Sequence, residues 1–262
     1  MQIRSSTEQP AERGVSGARL STATEAYTIR LASSPVEVRA AQALRFNVFN
    51  LELKEGLAES YETGLDADAF DAVCDHLLVE HVATGCIVGT YRLQTGTMAA
   101  ANQGYYSAQE FDFTPYEPVR EQVVELGRAC VDRLHRNLSV LGLLWKGITQ
   151  YAVARGGRYL IGCSSLTSVE PSVGARAYSD LCRRYLASPA FRTRPLPHCE
   201  CSLATMSEEP VEIPKLLRAY LGMGARICGV PAIDRQFGTI DFLTLQDLEA
   251  LPAAARARFL GV

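Results

Sequence analysis

Glu125 and Arg128 stand in the middle of the run Val123-Val124-Glu125-Leu126-Gly127-Arg128-Ala129-Cys130-Val131-Asp132. Val123, Val124, Leu126 and Val131 suit a pleated, buried surface, so the run reads as a β-strand. Two opposite charges inside such a strand are costly unless they are paired or in use. The functional reading is a polar centre built into a rigid sheet. Strict alternation sends residues three apart to opposite faces. A bulge at Gly127 would bring the two to one side, because an isolated strand glycine marks such an irregularity. The plainer alternative is a buried ion pair that only fixes strand register.

A second group lies upstream, where Asp66, Asp68, Asp71, Asp75 and His76 flank Phe70 just before Leu77-Leu78-Val79. Carboxylates at the mouth of a strand suit a cationic substrate group; alone, they read equally well as an acidic loop capping a strand. The strand-like run Cys86-Ile87-Val88-Gly89-Thr90-Tyr91-Arg92-Leu93 carries one charge, Arg92, near its end. Cys163 and Ser164 are nucleophiles by type, but no His lies nearby in sequence to activate either.

The elements that must position these residues alternate. A first strand is predicted over 26–32. Ser34-Pro35-Val36-Glu37 then starts a helix, with Ser as N-cap, Pro at N1 and Glu at N3. Ala41, Leu44, Val48 and Leu51 continue as its apolar stripe. Arg45 and Phe49, four apart, are neighbours beside that stripe; they either line a substrate site or form a packed Phe with a snorkelling Arg. Residues 54–67 read as a loop, followed by strands over 76–81 and 86–93. Residues 94–118 read mostly as loop, pinned by Tyr105, Tyr106, Phe111, Phe113 and Tyr116. After the strand at 121–132, Leu138, Leu141, Leu144, Ile148 and Ala152 set a helical period, stopped by Gly156-Gly157. A strand over 159–162 follows, ending in Cys163-Ser164-Ser165. Then come a polar helical insertion at about 170–195, a short helix over 214–221, and strands near 225–229 and 239–244. Strand–helix–strand order implies a parallel, right-handed crossover. The whole predicts an α/β protein, a three-layer α/β/α domain with a mixed central sheet over 26–262.

Bulk composition narrows the classes. With 262 residues, 47% hydrophobic and 21% charged, the chain can bury a sizeable core. No run approaches the roughly 20 apolar residues of a membrane-spanning helix. The first 25 residues are polar and lack a signal peptide's apolar core; they read as a disordered leader, and the protein as cytoplasmic. Eight scattered cysteines do not make a disulfide framework. Cys74, Cys86, Cys130, Cys163 and Cys228 read instead as small hydrophobes in apolar runs. His198-Cys199-Glu200-Cys201 is metal-like but lacks a second ligand pair, so no metal is expected. A net charge of −3 gives no sign of nucleic-acid binding. Arg133, Arg136, Lys146, Arg155 and Arg158 form with Arg128 one basic segment, and Arg183, Arg184, Arg192 and Arg194 another. Each is either a solvated face or a docking surface for an acidic partner.

The series Arg45…Phe49, Asp68-Ala69-Phe70-Asp71, Gly89-Thr90-Tyr91-Arg92-Leu93 and Glu125-Leu126-Gly127-Arg128 resembles the acyl-homoserine-lactone synthases. It is more similar to the related ornithine-lipid N-acyltransferases. The fuller wording of that group is also present, in Cys74-Asp75-His76-Leu77-Leu78, Tyr105-Tyr106-Ser107-Ala108-Gln109-Glu110-Phe111, Leu144-Trp145-Lys146-Gly147-Ile148, Leu160-Ile161-Gly162-Cys163-Ser164-Ser165-Leu166 and the tail from Gly229 to Phe242. The likeness spans about 27–250.

The resemblance implies the GNAT-type acyltransferase fold, in which an amine attacks a thioester held between two splayed strands. It implies Glu125 as proton acceptor, Arg128 as its orienting partner, and a backbone N–H freed at Gly127 for the oxyanion. Arg45, Phe49, His76, Arg92, Cys163 and Ser164 would meet substrate, with Asp68, Asp71, Asp234 and Asp241 gripping a basic amino acid and Arg45 or Arg92 its carboxylate. The expected acceptor is ornithine, with glycine, glutamine or lysine, or a lactone-type signal product, as alternatives. No cofactor is expected to be bound. The stretch Arg136-Asn137-Leu138-Ser139-Val140-Leu141 lacks the glycines that cradle coenzyme A in ordinary acetyltransferases. The donor implied is therefore acyl-phosphopantetheine on acyl carrier protein, docked by Arg133, Arg136, Lys146, Arg155 and Arg158. A membrane-lytic toxin would need an amphipathic lytic segment, and none is visible. Residues 245–260 either rest on the inner membrane or dock on their own domain.

Overall fold

The computed structural model describes residues 22–204 and 211–261. A nine-stranded sheet runs through it, built from β1 (Thr22–Ala23), β2 (Tyr27–Leu31), β3 (Asp75–His81), β4 (Cys86–Thr95), β5 (Val123–Val131), β6 (Tyr159–Leu166), β7 (Arg226–Ile227), β8 (Ala232–Asp234) and β9 (Thr239–Asp247). The order is β1-β2-β3-β4-β5-β6-β9-β7, with β8 also on β9. Every pairing is antiparallel except β5 with β6. The helices are α1 (Pro35–Phe46), α2 (Ser60–Thr63), α3 (Gly96–Ala101), α4 (Leu138–Ala154), α5 (Pro171–Tyr185), α6 (Lys215–Gly222) and α7 (Ala253–Phe259).

Helix α4 is the crossover between β5 and β6. Asn137 caps it by accepting from the Val140 N–H at 3.0 Å. Its buried face, Val140, Leu143, Leu144, Ile148 and Ala152, packs on Ile29, Leu77, Val79, Leu93 and Val124 of the sheet. Leu78 alternates to the opposite face, which α1 covers. The pairing of β5 with β6 lasts only from Val123↔Tyr159 to Glu125↔Ile161. Beyond it β5 stays with β4 and β6 stays with β9, so the two strands splay. Gly162 sits at the apex. A Cβ there would meet the Leu126 carbonyl oxygen at 2.2 Å, so only glycine allows the approach. Gly162→Ala should cost ~1–3 kcal/mol as overpacking and deform the splay. A fall in Tm together with a fall in turnover is expected.

Several expectations are corrected. Residues 1–21 of the supposed leader lie outside the described residues, but Thr22 and Ala23 pair with Thr28 and Ile29 at the sheet edge. Residues 94–118 are largely helical turns: α3, then 3-10 turns at Tyr106–Gln109 and from Thr114 onward. Cys163, Ser164 and Ser165 lie inside β6, not past its end. Helix α1 passes into a wide π-turn, Asn47–Leu53, closed by Lys54 in the left-handed region, which re-aims Phe49 relative to Arg45. The β5 bulge also falls elsewhere. Arg92 pairs with Gly127 and Thr90 with Cys130, so Arg128 and Ala129 together oppose Tyr91. The residue in the left-handed region is Arg128 itself, at φ 50°, not Gly127. A non-glycine there is strained by about 1 kcal/mol or more.

Candidate active site

The splay opens a cavity of about 350 Å³. One wall is Glu125, Leu126, Gly127 and Arg128 of β5; the other is Gly162, Cys163, Ser164 and Ser165 of β6. Apolar side chains extend it, among them Tyr91, Trp145, Leu160, Leu217 and Tyr220 near α4 and α6, with Phe49 and Phe237 on the other side. Phe49 and Phe237 meet edge-on, centroids 5.5 Å apart.

Glu125 is buried and makes no ion pair with Arg128. Its Oε2 accepts from Gln94 Nε2 at 2.5 Å and the Tyr106 N–H at 2.8 Å, and its Oε1 accepts from the Ser107 N–H at 2.8 Å. Each carboxylate oxygen can accept two such bonds, so Oε1 keeps capacity on the cavity side. The 3-10 turn after Tyr105 thus orients the carboxylate, in place of the expected arginine.

Arg128 turns away into a closed ring of charges. Its Nε lies 3.1 Å from Asp66 and its Nη2 3.0 Å from Asp68. Asp68 also holds Arg92 at 2.5 Å, Arg92 reaches Asp71 at 3.0 Å, Asp71 holds Arg45 at 2.6 Å, and Arg45 returns to Asp66 at 2.8 Å. Three guanidiniums and three carboxylates alternate, and the ring is neutral. Tyr106 separates two of the cations, 4.7 Å from Arg128 and 5.0 Å from Arg92, while Phe237 covers the other face of Arg128 at 4.6 Å. Burial works against the Arg128 charge, but Tyr106, Asp66 and Asp68 raise its pKa beyond the usual arginine value. Burial likewise opposes the Asp71 charge, yet Arg45 and then Arg92 hold that carboxyl below the ordinary range.

This ring corrects the expected acceptor site. Arg45, Asp68, Asp71 and His76 do not line the cavity; Arg92 and Arg128 do. Arg45 is fully buried with both carboxylate neighbours engaged. His76, whose pKa burial lowers, packs behind the ring with Nε2 3.1 Å from the Asp71 backbone oxygen. Cys163, Ser164, Asp234 and Asp241 do reach the cavity. Burial pushes the Cys163 thiol well up, with Glu110 and Asp241 adding to it, which disfavours the thiolate a nucleophile needs.

Glu110 escaped the sequence reading. It is buried beside Asp241, and their oxygens lie with the Cys163 Sγ all within 4.8 Å of one another. Tyr106, Ser107 and Gln94 were missed as well. The one available signal was a lone acid closing the stretch Tyr105–Glu110 between aromatics, which read as loop anchoring.

The basic segment also divides. Arg133 and Arg136 precede α4 and Arg155 and Arg158 follow it, so a helix of 17 residues, about 25 Å, lies between the pairs. Arg136 is bidentate with Glu52 at 2.6 and 2.7 Å, Arg155 meets Asp75 at 3.2 Å, and Arg158 meets Asp247 at 2.8 Å. Lys146 is half-buried mid-helix. The five do not form one patch. Cys199 and Cys201 pack into two different core clusters.

Residues 44–146 match the family model of the acetyltransferase (GNAT) domain. An "L-ornithine N(alpha)-acyltransferase" of Agrobacterium fabrum (strain C58) is 35% identical over 237 residues, covering 85% of this chain and 81% of its own. One of the same name from Brucella abortus (strain 2308) is 34% identical over 239 residues, 85% of each chain. The chain belongs to the L-ornithine Nα-acyltransferase family. Among solved structures, the acyl-homoserine-lactone synthase LasI superposes with a TM-score of 0.50 at 11% identity, covering 90% of this chain and 95% of its own. That likeness shows a shared fold, as expected for this L-ornithine Nα-acyltransferase family member. The chain is an acyltransferase. No helix among the described residues is long and apolar enough to cross a membrane. Helix α7 docks on α4, where Thr149 Oγ1 donates to the Phe259 carbonyl at 3.1 Å and the Phe259 ring lies 6.1 Å from Trp145.

Proposed function

We propose that this protein transfers a (3-hydroxy)fatty acyl group from acyl carrier protein to the α-amine of ornithine, in the cytoplasm. The observation that carries the reading is the wedge between β5 and β6. It sets a buried, oriented carboxylate, Glu125, against an apolar slot running toward Trp145 and Tyr220. The activity for which the protein's relatives are named supplies the acceptor.

The amine nitrogen attacks the thioester carbonyl carbon, and the C–S bond then breaks to release the phosphopantetheine thiol. A free α-amine is mostly protonated near neutral pH, so a proton must leave before attack. Glu125 Oε1 takes it, directly or through water, while the bonds from Gln94, Tyr106 and Ser107 keep the carboxylate fixed. The oxyanion is met by backbone N–H groups on the edge of β5 that faces the splay, past the last pair with β6. The carrier-protein donor is supported at the start of α4, where Asn137 caps the helix and no glycine offers a pyrophosphate cradle.

Mass spectrometry of lipid-extractable products, after mixing the protein with 3-hydroxyacyl carrier protein and a pool of amino acids, tests the reading. A single product at the mass of hydroxyacyl-ornithine is expected. A product of another amine would change the acceptor, and equal efficiency with acyl-coenzyme A would defeat the carrier-protein donor.

A further inference from the structure

The cavity holds a second acidic centre, separate from Glu125. Asp241 of β9 lines it, and Glu110 stands behind, each only 4% exposed. Asp241 and Glu110 are buried side by side and hydrogen-bond to each other, so they share a proton. The one negative charge left on the pair is buried, which is costly, and a cation offsets it. Asp234, at the end of β8, also lines the cavity. Its Oδ1 is occupied by the Gln236 and Phe237 N–H groups at 2.8 Å each, so it adds charge more than a free bond.

The route from this centre to Glu125 is short and continuous. Cys163 Sγ lies 4.0 Å from Glu110 and 3.5 Å from Ser107 Oγ, and the Ser107 N–H binds Glu125. Two acidic centres therefore stand along one side of the cavity with only Ser107 and Cys163 between them. An amino acid with a second amine offers one basic nitrogen to each of the two centres.

We propose that Asp241, backed by Glu110, is the specificity-determining site that receives the distal ammonium of a diamino-acid acceptor. This rests on the acyl-transfer reading above and adds which residues select the acceptor. Burial pushes both carboxyls up, so the coupled pair holds one proton between them and carries one negative charge. One net negative charge then faces one ammonium. A neutral side chain would leave that charge buried and unpaired, a penalty that turns into discrimination.

The experiment compares L-ornithine with L-norvaline, which has the same carbon chain without the δ-amine, as acceptors for the full-length enzyme. Wild type should prefer ornithine by about 30-fold or more in kcat/KM. Asp241→Asn should collapse that ratio, mainly through the KM for ornithine. Retention of the preference by a folded Asp241→Asn enzyme would overturn the proposal. Should that variant not fold, wild type decides alone, because equal use of norvaline and ornithine defeats the site while leaving acyl transfer standing. Acylation of neither amino acid would bring down the underlying reading too. Elemental analysis of the purified protein adds a check, since a stoichiometric metal bound by Asp241, Glu110 and Cys163 would assign the pocket to a metal ion instead.

Discussion

Glu125→Gln should lower turnover by about 10²-fold or more while leaving a folded protein. The amide cannot take a proton from an ammonium. It also presents an NH₂ where the native group accepts N–H bonds on both oxygens. Rotation of Gln94, whose Oε1 is buried without a partner, relieves one of the resulting clashes. A moderate loss of stability should therefore accompany a large loss of rate. Circular dichroism and Tm would be read beside single-turnover rates. Turnover near wild type would remove Glu125 from the reaction, and a rate loss matched by unfolding would reduce it to an anchor for the turn after Tyr105.

Arg45→Met should destabilise the fold by about 3–5 kcal/mol, read as a lower urea midpoint. Removal of Arg45 leaves Asp66 and Asp71 facing one another's charge in a nearly dry site, with only Arg92 and Arg128 to balance three carboxylates. Asp71 sets the acid limb. Its folded pKa lies below its unfolded value of about 4, so its stabilising contribution is complete above that value and is lost as pH falls through and below it. Wild-type stability should therefore drop from about pH 4 downward, and Arg45→Met should show a shallower drop. Equal acid slopes for the two proteins would sever Asp71 from the effect.

Periodicity made most of the frame legible. Helix α4 begins at Leu138 and ends at Ala154, where the apolar repeat and Gly156-Gly157 put it, and the strands fall within a few residues of their apolar runs. Charged residues inside an apolar strand drew the eye to Glu125 and Arg128 because burial makes charge costly. Partnership was not legible. Glu125 is held by backbone N–H groups 18 and 19 residues upstream and by Gln94 across the ladder, and no side-chain pattern reports backbone donors. The acidic cluster was visible, but its neutralisation by Arg45, Arg92 and Arg128 depends on contacts 21 to 62 residues apart. The bulge went to Arg128 because the ring's hold on its guanidinium offsets a backbone strain that glycine would have escaped.

Three pairs are all that join β5 to β6. On one side, β1 to β5 are stitched in sequence by antiparallel ladders; on the other, β6, β7 and β8 share β9. The sheet is thus two leaves bound along a short spine, with α4 as the strap between them. Beyond the spine the leaves are tied again, where the Asp112 N–H donates to the Arg194 carbonyl at 3.0 Å and the Leu196 N–H to the Glu110 carbonyl at 2.7 Å. A long-chain guest therefore meets a slot of set width, fixed at one end by the line where Gly162 meets Leu126 and at the other by those loop bonds.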